Sequence, residues 1–157
     1  MQHRQLKYGR IERERRWLLP GVPDVTFDRV VDIVDRYIVG TRLRLRTMTE
    51  GDQVDHKLAR KLAPHAPGAL VMGNLYLDPA EHALMATLPA HEVRKQRRFL
   101  GRWGVDVFGG VHEGLVLAEI EEDDAAVLAA LVPPFPVVRD VTDDPAYSGG
   151  ALAYPGA

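Results

Sequence analysis

The chain has 157 residues, with 46% apolar and 27% charged residues, a globular balance for one ordinary domain that argues against disorder. A net charge of −2 excludes an overall basic field for nucleic acid, so any positive surface must be local. Cysteine is absent, which excludes disulfides and thiolate metal sites, and no apolar run approaches the roughly 18–20 residues of a membrane span. The expectation is one cytoplasmic domain over 1–157, with neither a nucleic-acid nor a membrane partner.

Short segments with period-two alternation, separated by Pro and Gly, predict antiparallel strands at 10–19, 41–49, 52–62, 69–77, 91–100, 103–109, 114–121 and 137–142. In the first, Glu12, Glu14 and Arg16 share a face, with successive members about 6.6–6.8 Å apart. Two carboxylates so placed repel unless a cation sits between them. The segment Asp24 to Val34 reads as a candidate helix. The strand from Thr41 to Arg46 then sets Arg42, Arg44 and Arg46 on one face and two leucines on the other. Three like charges in a row call for an anion or facing carboxylates.

The next strand repeats the pattern with Lys57, Ala59 and Lys61 in phase. Pro79 suits a first helical turn, with Leu84 and Leu88 on one face until Pro89. Lys95 and Arg97 share a face of the following strand. Glu119 and Glu121 share one with Leu115 and Leu117. That strand is apolar on both faces, so it is buried on both, and its glutamates need partners. Acidic residues 121–124 precede an alanine- and leucine-rich helix that ends at Pro133.

Eight strands and few helices predict a mainly β (α+β) fold, an antiparallel sheet that curves or closes. Closure into a barrel removes the sheet edges and turns alternate side chains toward a common lumen. Carboxylates there suit Mg²⁺ or Mn²⁺, and the basic side chains suit phosphate oxygens.

These landmarks resemble the triphosphate tunnel metalloenzymes, the CYTH domain family, over nearly the whole chain. The matching residues are Glu12-x-Glu14-x-Arg16 with Trp17-Leu18-Leu19, then Thr41 to Arg46, Lys57 to Lys61, and Lys95-Gln96-Arg97. They continue with Val105 to Phe108, Gly114 to Glu121, and Asp140 to Asp144 ahead of Tyr147-Ser148. The resemblance implies an eight-stranded antiparallel closed β-barrel, or tunnel, holding a triphosphate and divalent metal. It implies metal ligands at Glu12, Glu14, Glu119 and Glu121. Phosphate contacts would come from Arg42, Arg44, Arg46, Lys57, Lys61, Lys95 and Arg97, and catalysis from Glu12, Glu14 and Arg16.

Two positions depart from the family pattern. Arg16 stands where lysine usually closes the opening motif, and arginine stays protonated under working conditions. The stretch 72–78 offers only Asn74, Tyr76 and Asp78 where many members alternate Arg and Glu. The implied function is divalent-metal hydrolysis of inorganic triphosphate, with nucleoside and thiamine triphosphates as related substrates. The alternative is a non-catalytic polyphosphate- or nucleotide-binding module. A single-stranded RNA-binding barrel fits less well, because the arginine strands carry leucine rather than aromatics between their charges.

Other residues carry simpler readings. His56, His65, His82, His91 and His112 lack ligand spacing and read as surface or structural. Trp17 and Trp103 read as core anchors, and Gly109-Gly110 as a turn between strands. Asp106 reads equally as a lumen residue or as the partner of a basic strand. Asp143-Asp144, beside Pro145, reads as a turn or cap.

Overall fold

The computed structural model describes residues 7–66 and 68–155, and the side chains within them apart from 63–66. The strands are β1 (Arg10–Leu18), β2 (Arg29–Ile38), β3 (Leu43–Glu50), β4 (Gln53–Ala66) and β5 (Ala69–Leu77). They continue with β6 (Ala90–Leu100), β7 (Trp103–Phe108), β8 (Val116–Glu121) and the short β9 (Arg139–Asp140). Neighbours run β5-β4-β3-β2-β6-β7-β8-β1, and a further β5–β1 pairing closes the ring. All these pairings are antiparallel. The result is a closed eight-stranded barrel, with β9 added outside the ring along β1.

The membership of the ring corrects one expectation. Residues 29–38 form β2, so the candidate helix at 24–34 is in large part a strand. Its burial has period two, with Val31, Ile33 and Asp35 inward and Asp32 exposed. The density of β-branched residues in Arg-Val-Val-Asp-Ile-Val favours that conformation. The expected strand at 137–142 shrinks to β9, and β2 supplies the eighth stave.

Three helices decorate the barrel. The first, α1 (Pro79–Met85), begins with a capping box in which Asp78 accepts from the Glu81 amide and Glu81 accepts from the Asp78 amide. The second, α2 (Ala125–Ala130), is capped by Asp124, whose carboxylate accepts from the amides of Ala126 and Val127. The third, α3 (Gly149–Ala153), follows the cap Ser148 and has no counterpart in the sequence expectations. No helix among the described residues is long and apolar enough to cross a membrane.

Two apolar clusters flank the charged lumen. Trp17, Val105, Val116, Ala118 and Ile120 point away from the lumen, because they alternate with its charged residues, and they pack with Leu128 of α2 and Phe135. The rings of Trp17 and Trp103 lie 5.3 Å apart, as core anchors should. Inside the barrel, Val93, Phe108 and Leu117 meet Leu152 and Ala153 of α3, which caps that end.

Leu128 joins α2 to the outer core, at 6% exposure. Leu128→Ala is expected to lower unfolding free energy by about 2–5 kcal/mol in denaturant titration. A loss below about 1 kcal/mol would show that α2 does not seal this cluster.

Candidate functional site

Strand alternation delivers most of the predicted residues to one lumen. Register sets Glu14 opposite Glu121 and Arg16 opposite Glu119 between β1 and β8. It sets Arg44 opposite Ala59 and Arg46 opposite Lys57 between β3 and β4. It also sets Arg97 opposite Asp106 between β6 and β7. β3 lies across the ring from β8, so the basic wall faces the acidic one.

The centre of the lumen is neutralised by its own residues. Asp106 is fully buried, and Arg97 donates to both of its oxygens, from Nε at 2.6 Å and Nη2 at 2.7 Å. Lys95 Nζ also donates to Asp106. Arg97 Nη2 reaches on to Glu119 at 2.6 Å. Arg16 donates from Nε to the other Glu119 oxygen at 2.9 Å and from Nη2 to Glu14 at 2.6 Å. Its Nη1 donates to the Tyr147 carbonyl at 2.6 Å. On the facing wall Asp35, 3% exposed, accepts from Arg46 Nε and Nη2 at 2.6 and 2.8 Å.

Asp106 is therefore both a lumen residue and the partner of the basic strand. Asp35 is the functional residue that sequence reasoning missed. Its only signal was the alternation of 31, 33, 35 and 37, which the helix assignment of this stretch obscured.

These pairs leave other charges in the lumen without a close partner. Among the described residues, Arg42, Lys57 and Lys61 make no ion pair. Arg44 comes only within 3.8 Å of Asp35, and its buried Nε has no hydrogen-bond partner. Burial pushes the Lys61 ammonium below its ordinary value, with Arg16 and Arg44 adding repulsion. Burial likewise lowers Lys57, with Arg46 and Arg44 adding to it.

Among the described residues Glu12 and Glu121 likewise make no ion pair. Loss of water and the facing Glu12 hold the Glu121 carboxyl above its usual range. Burial, then repulsion from Glu119, raises Glu14 despite the Arg16 contact. Burial also opposes the charge of Glu119, but Arg97 and Arg16 outweigh it and hold that carboxyl well below its usual range.

Two cavities mark the ends. One of about 580 Å³ is lined by five carboxylates, among them Glu12, Glu119 and Glu121, and by as many arginines, among them Arg10, Arg13 and Arg97. The other, about 490 Å³, is lined by Arg42, Arg44 and Lys61 beside Tyr37 and Tyr154. Glu14, Arg16, Arg46, Lys57 and Lys95 line neither. The site expected as one constellation is thus a mouth of mixed charge and a basic mouth, separated by internal ion pairs.

Among the described residues no three Asp, Glu or His side chains converge as a metal cage. The donor set fits a hard cation that arrives with phosphate, since Mg²⁺ is commonly held by one or two carboxylates plus phosphate oxygens. Glu12 and Glu121 are available for that role. Glu14 gives one oxygen to Arg16, and both Glu119 oxygens accept from arginine.

The departing positions 74–78 take other tasks. Asn74 Nδ2 lies 3.4 Å from Glu12, Tyr76 sits under the Lys57 ammonium at 5.6 Å, and Asp78 caps α1. Asp144 accepts from the Ala146 amide and pairs with Arg139, the capping use expected of it. His56 and His82 stack at 3.8 Å and share the Thr47 hydroxyl outside the lumen, a pairing that their spacing did not reveal. The side chain of His65 lies outside the described residues.

No family model and no curated protein matches the chain. Two solved structures of NE1496, one of them reported as the inorganic triphosphatase NE1496, are similar in fold at 24% identity and TM-scores of 0.60 and 0.59. They cover 90% of this chain and 96% and 93% of their own. PH1819 from Pyrococcus horikoshii OT3 is similar at 13% identity and a TM-score of 0.55, over 75% of this chain and 82% of its own. The likeness is one of fold, a closed antiparallel β-barrel.

Asp35 carries a test of the internal pairs. Burial disfavours its charge, but the Arg46 guanidinium outweighs this and lowers its pKa from 3.8 to about 2. Asp35→Ala is expected to cost about 3–5 kcal/mol, because Arg46 is left charged and unpaired. The folded-state pKa lies below the unfolded one, so the pair's contribution is complete above about pH 4 and is lost as pH falls through about 2. Urea titrations of the wild type and of Asp35→Asn should therefore converge between these values. A gap that stays constant with pH would contradict the pairing.

Proposed function

From a triphosphate tunnel fold, we propose that the chain hydrolyses a triphosphate compound with the help of a divalent cation, Mg²⁺ or Mn²⁺. The observation that carries this reading is the set of cations without carboxylate partners, Arg42, Arg44, Lys57 and Lys61, across the lumen from the unpaired Glu12 and Glu121. An arrangement with spare positive charge on one wall and spare carboxylates on the other suits an anion that carries its own metal. The similar structure of an inorganic triphosphatase supports the substrate class.

Phosphoryl transfer needs mainly positioning and charge neutralisation. Arg42, Arg44, Lys57 and Lys61 hold phosphate oxygens. Arg46, Lys95 and Arg97 are pinned by Asp35 and Asp106, so they form a fixed polar wall that reorganises little during reaction. Glu12 and Glu121 would hold the cation, which would supply positive charge to offset that of the phosphates.

Water attacks the terminal phosphorus, the bridging P–O bond breaks, and its electron pair leaves on the departing phosphate. Glu14, with its carboxyl raised by burial and by Glu119, takes the proton of the attacking water. Arg16 takes no part in proton transfer. It bridges Glu14 and Glu119 and fixes them in place.

Phosphate release should be measured from inorganic triphosphate, ATP and thiamine triphosphate with Mg²⁺, Mn²⁺ or EDTA. Release from at least one compound is expected with metal, and none with EDTA. Lys61→Ala and Glu12→Gln should each lower the rate by about 10²-fold or more. Binding without release would favour the polyphosphate-binding module. Unchanged rates in both variants would remove these residues from the site.

A further inference from the structure

Outside the lumen, two histidines meet where α1 lies against the barrel. His82 of α1 stacks on His56 of β4, with ring centroids 3.8 Å apart and planes 16° from parallel. Nδ1 of His56 and Nε2 of His82 each lie 3.1 Å from the hydroxyl oxygen of Thr47 on β3. Thr47 and His56 are register partners and alternate with lumen residues, so this seat is on the outer face. Leu45 shares that face and is only 1% exposed, so the face is covered there. His82 thus seats α1 over β3 and β4.

The shared hydroxyl has one hydrogen to donate and two lone pairs to accept with. With both rings neutral, Thr47 donates to one ring nitrogen and accepts an N–H from the other. One added proton keeps the seat, because both nitrogens then donate to Thr47 and a charged ring stacks on a neutral one. A second proton sets two positive rings face to face at 3.8 Å. The neighbours do not offset that charge. Arg36 of β2 adds to it, and Glu92 of β6 is already paired with Arg36 and Arg94. Asp32, further along β2, accepts from Gln96. On α1, the carboxylates of Asp78 and Glu81 each accept from the other's amide. Leu77 of β5 opposite His56, and Val34 of β2 opposite Thr47, are apolar. Among the described residues neither ring meets a carboxylate.

We propose that the His56–His82 stack is a proton-operated latch, which seats α1 on the barrel at neutral pH and releases it on acidification. The helix depends on this seat. It has seven residues, none of them buried, and a helix so short does not hold by itself in water. Among the described residues, the other side-chain hydrogen bonds that tie this segment to the barrel run from Arg36 to the carbonyls of Ala86 and Leu88. Burial, then His56 and Arg36, hold the His82 imidazole below its ordinary 6.5. Its folded-state pKa lies below the unfolded one, so the latch contributes fully above about pH 6.5 and weakens as pH falls from there. The Asp35–Arg46 pair is intact in that range, so α1 opens while the barrel holds. The latch lies outside the lumen and does not depend on the ligand.

The test is amide hydrogen exchange of the full chain, read by NMR at about pH 7.5 and about pH 5.5 and corrected for intrinsic rates. The amides of His82 and Ala86, which donate to the carbonyls of Asp78 and His82, report on α1. Their protection is expected to fall about tenfold or more at the lower pH, while the amides of β7 keep theirs. In His82→Phe, and in the converse His56→Phe, a flat ring remains but two charges can no longer meet. Protection of α1 should then be the same at both pH values. In the wild type the imidazole resonances of His56 and His82 should titrate in two separate steps. Protection of α1 that does not change with pH in the wild type overturns the latch. So does an equal fall in both phenylalanine variants, or titration of the two rings in a single step.

Discussion

Burying charge inside a barrel is unfavourable unless each charge meets a partner, and this constraint organises the molecule. Asp35 and Asp106, at 3% and 0% exposure, meet Arg46 and the pair Arg97 and Lys95 respectively. Those pairs consume the central cations and leave an excess of positive charge on β3 and β4. They also leave Glu12 and Glu121 without an ion pair where β1 and β8 open, in a mouth of mixed charge. The two mouths differ because the middle is already balanced.

Antiparallel pairing makes this possible at low cost in sequence. Each strand except β5 needs only alternate charged positions, and closure of the ring brings these faces to one lumen. The opposite faces of β1, β7 and β8 carry Trp17, Val105, Ala118 and Ile120, which seal the wall under α2. A single residue spans several of these tasks. Arg16 bridges two lumen glutamates and holds the backbone of Tyr147, so it links the acidic strands to the segment that leads into α3. A lysine has one ammonium in place of this fork and could not meet all three acceptors with the same geometry.

The phase of each charged strand was legible in the sequence, because period two leaves no choice of face once a strand is assigned. Arg42, Arg44 and Arg46 lie in phase, as do Lys57 with Lys61 and Glu12 with Glu14. What could not be read was which charges cancel. Asp35 lay in a stretch rich in apolar residues that also suits a helix, so its pairing with Arg46 was hidden with its strand. Asp106 was placed near the basic strand, but the choice between lumen and ion pair depended on register. The five residues of α3 are too few to show a helical period, and the seat of Gly149 on Tyr37 spans most of the chain. Long-range packing decided each of these cases.

The central claim is that internal carboxylates pin the inner cations and leave the ligand to the unpaired ones. A crystal structure with a bound triphosphate compound and Mn²⁺, located by its anomalous signal, tests this most directly. The account predicts phosphates on Arg42, Arg44, Lys57 and Lys61, metal at Glu12 and Glu121, and intact Asp35–Arg46 and Asp106–Arg97 pairs. Phosphates bound instead to Arg46 and Arg97, with those two pairs broken, would contradict it.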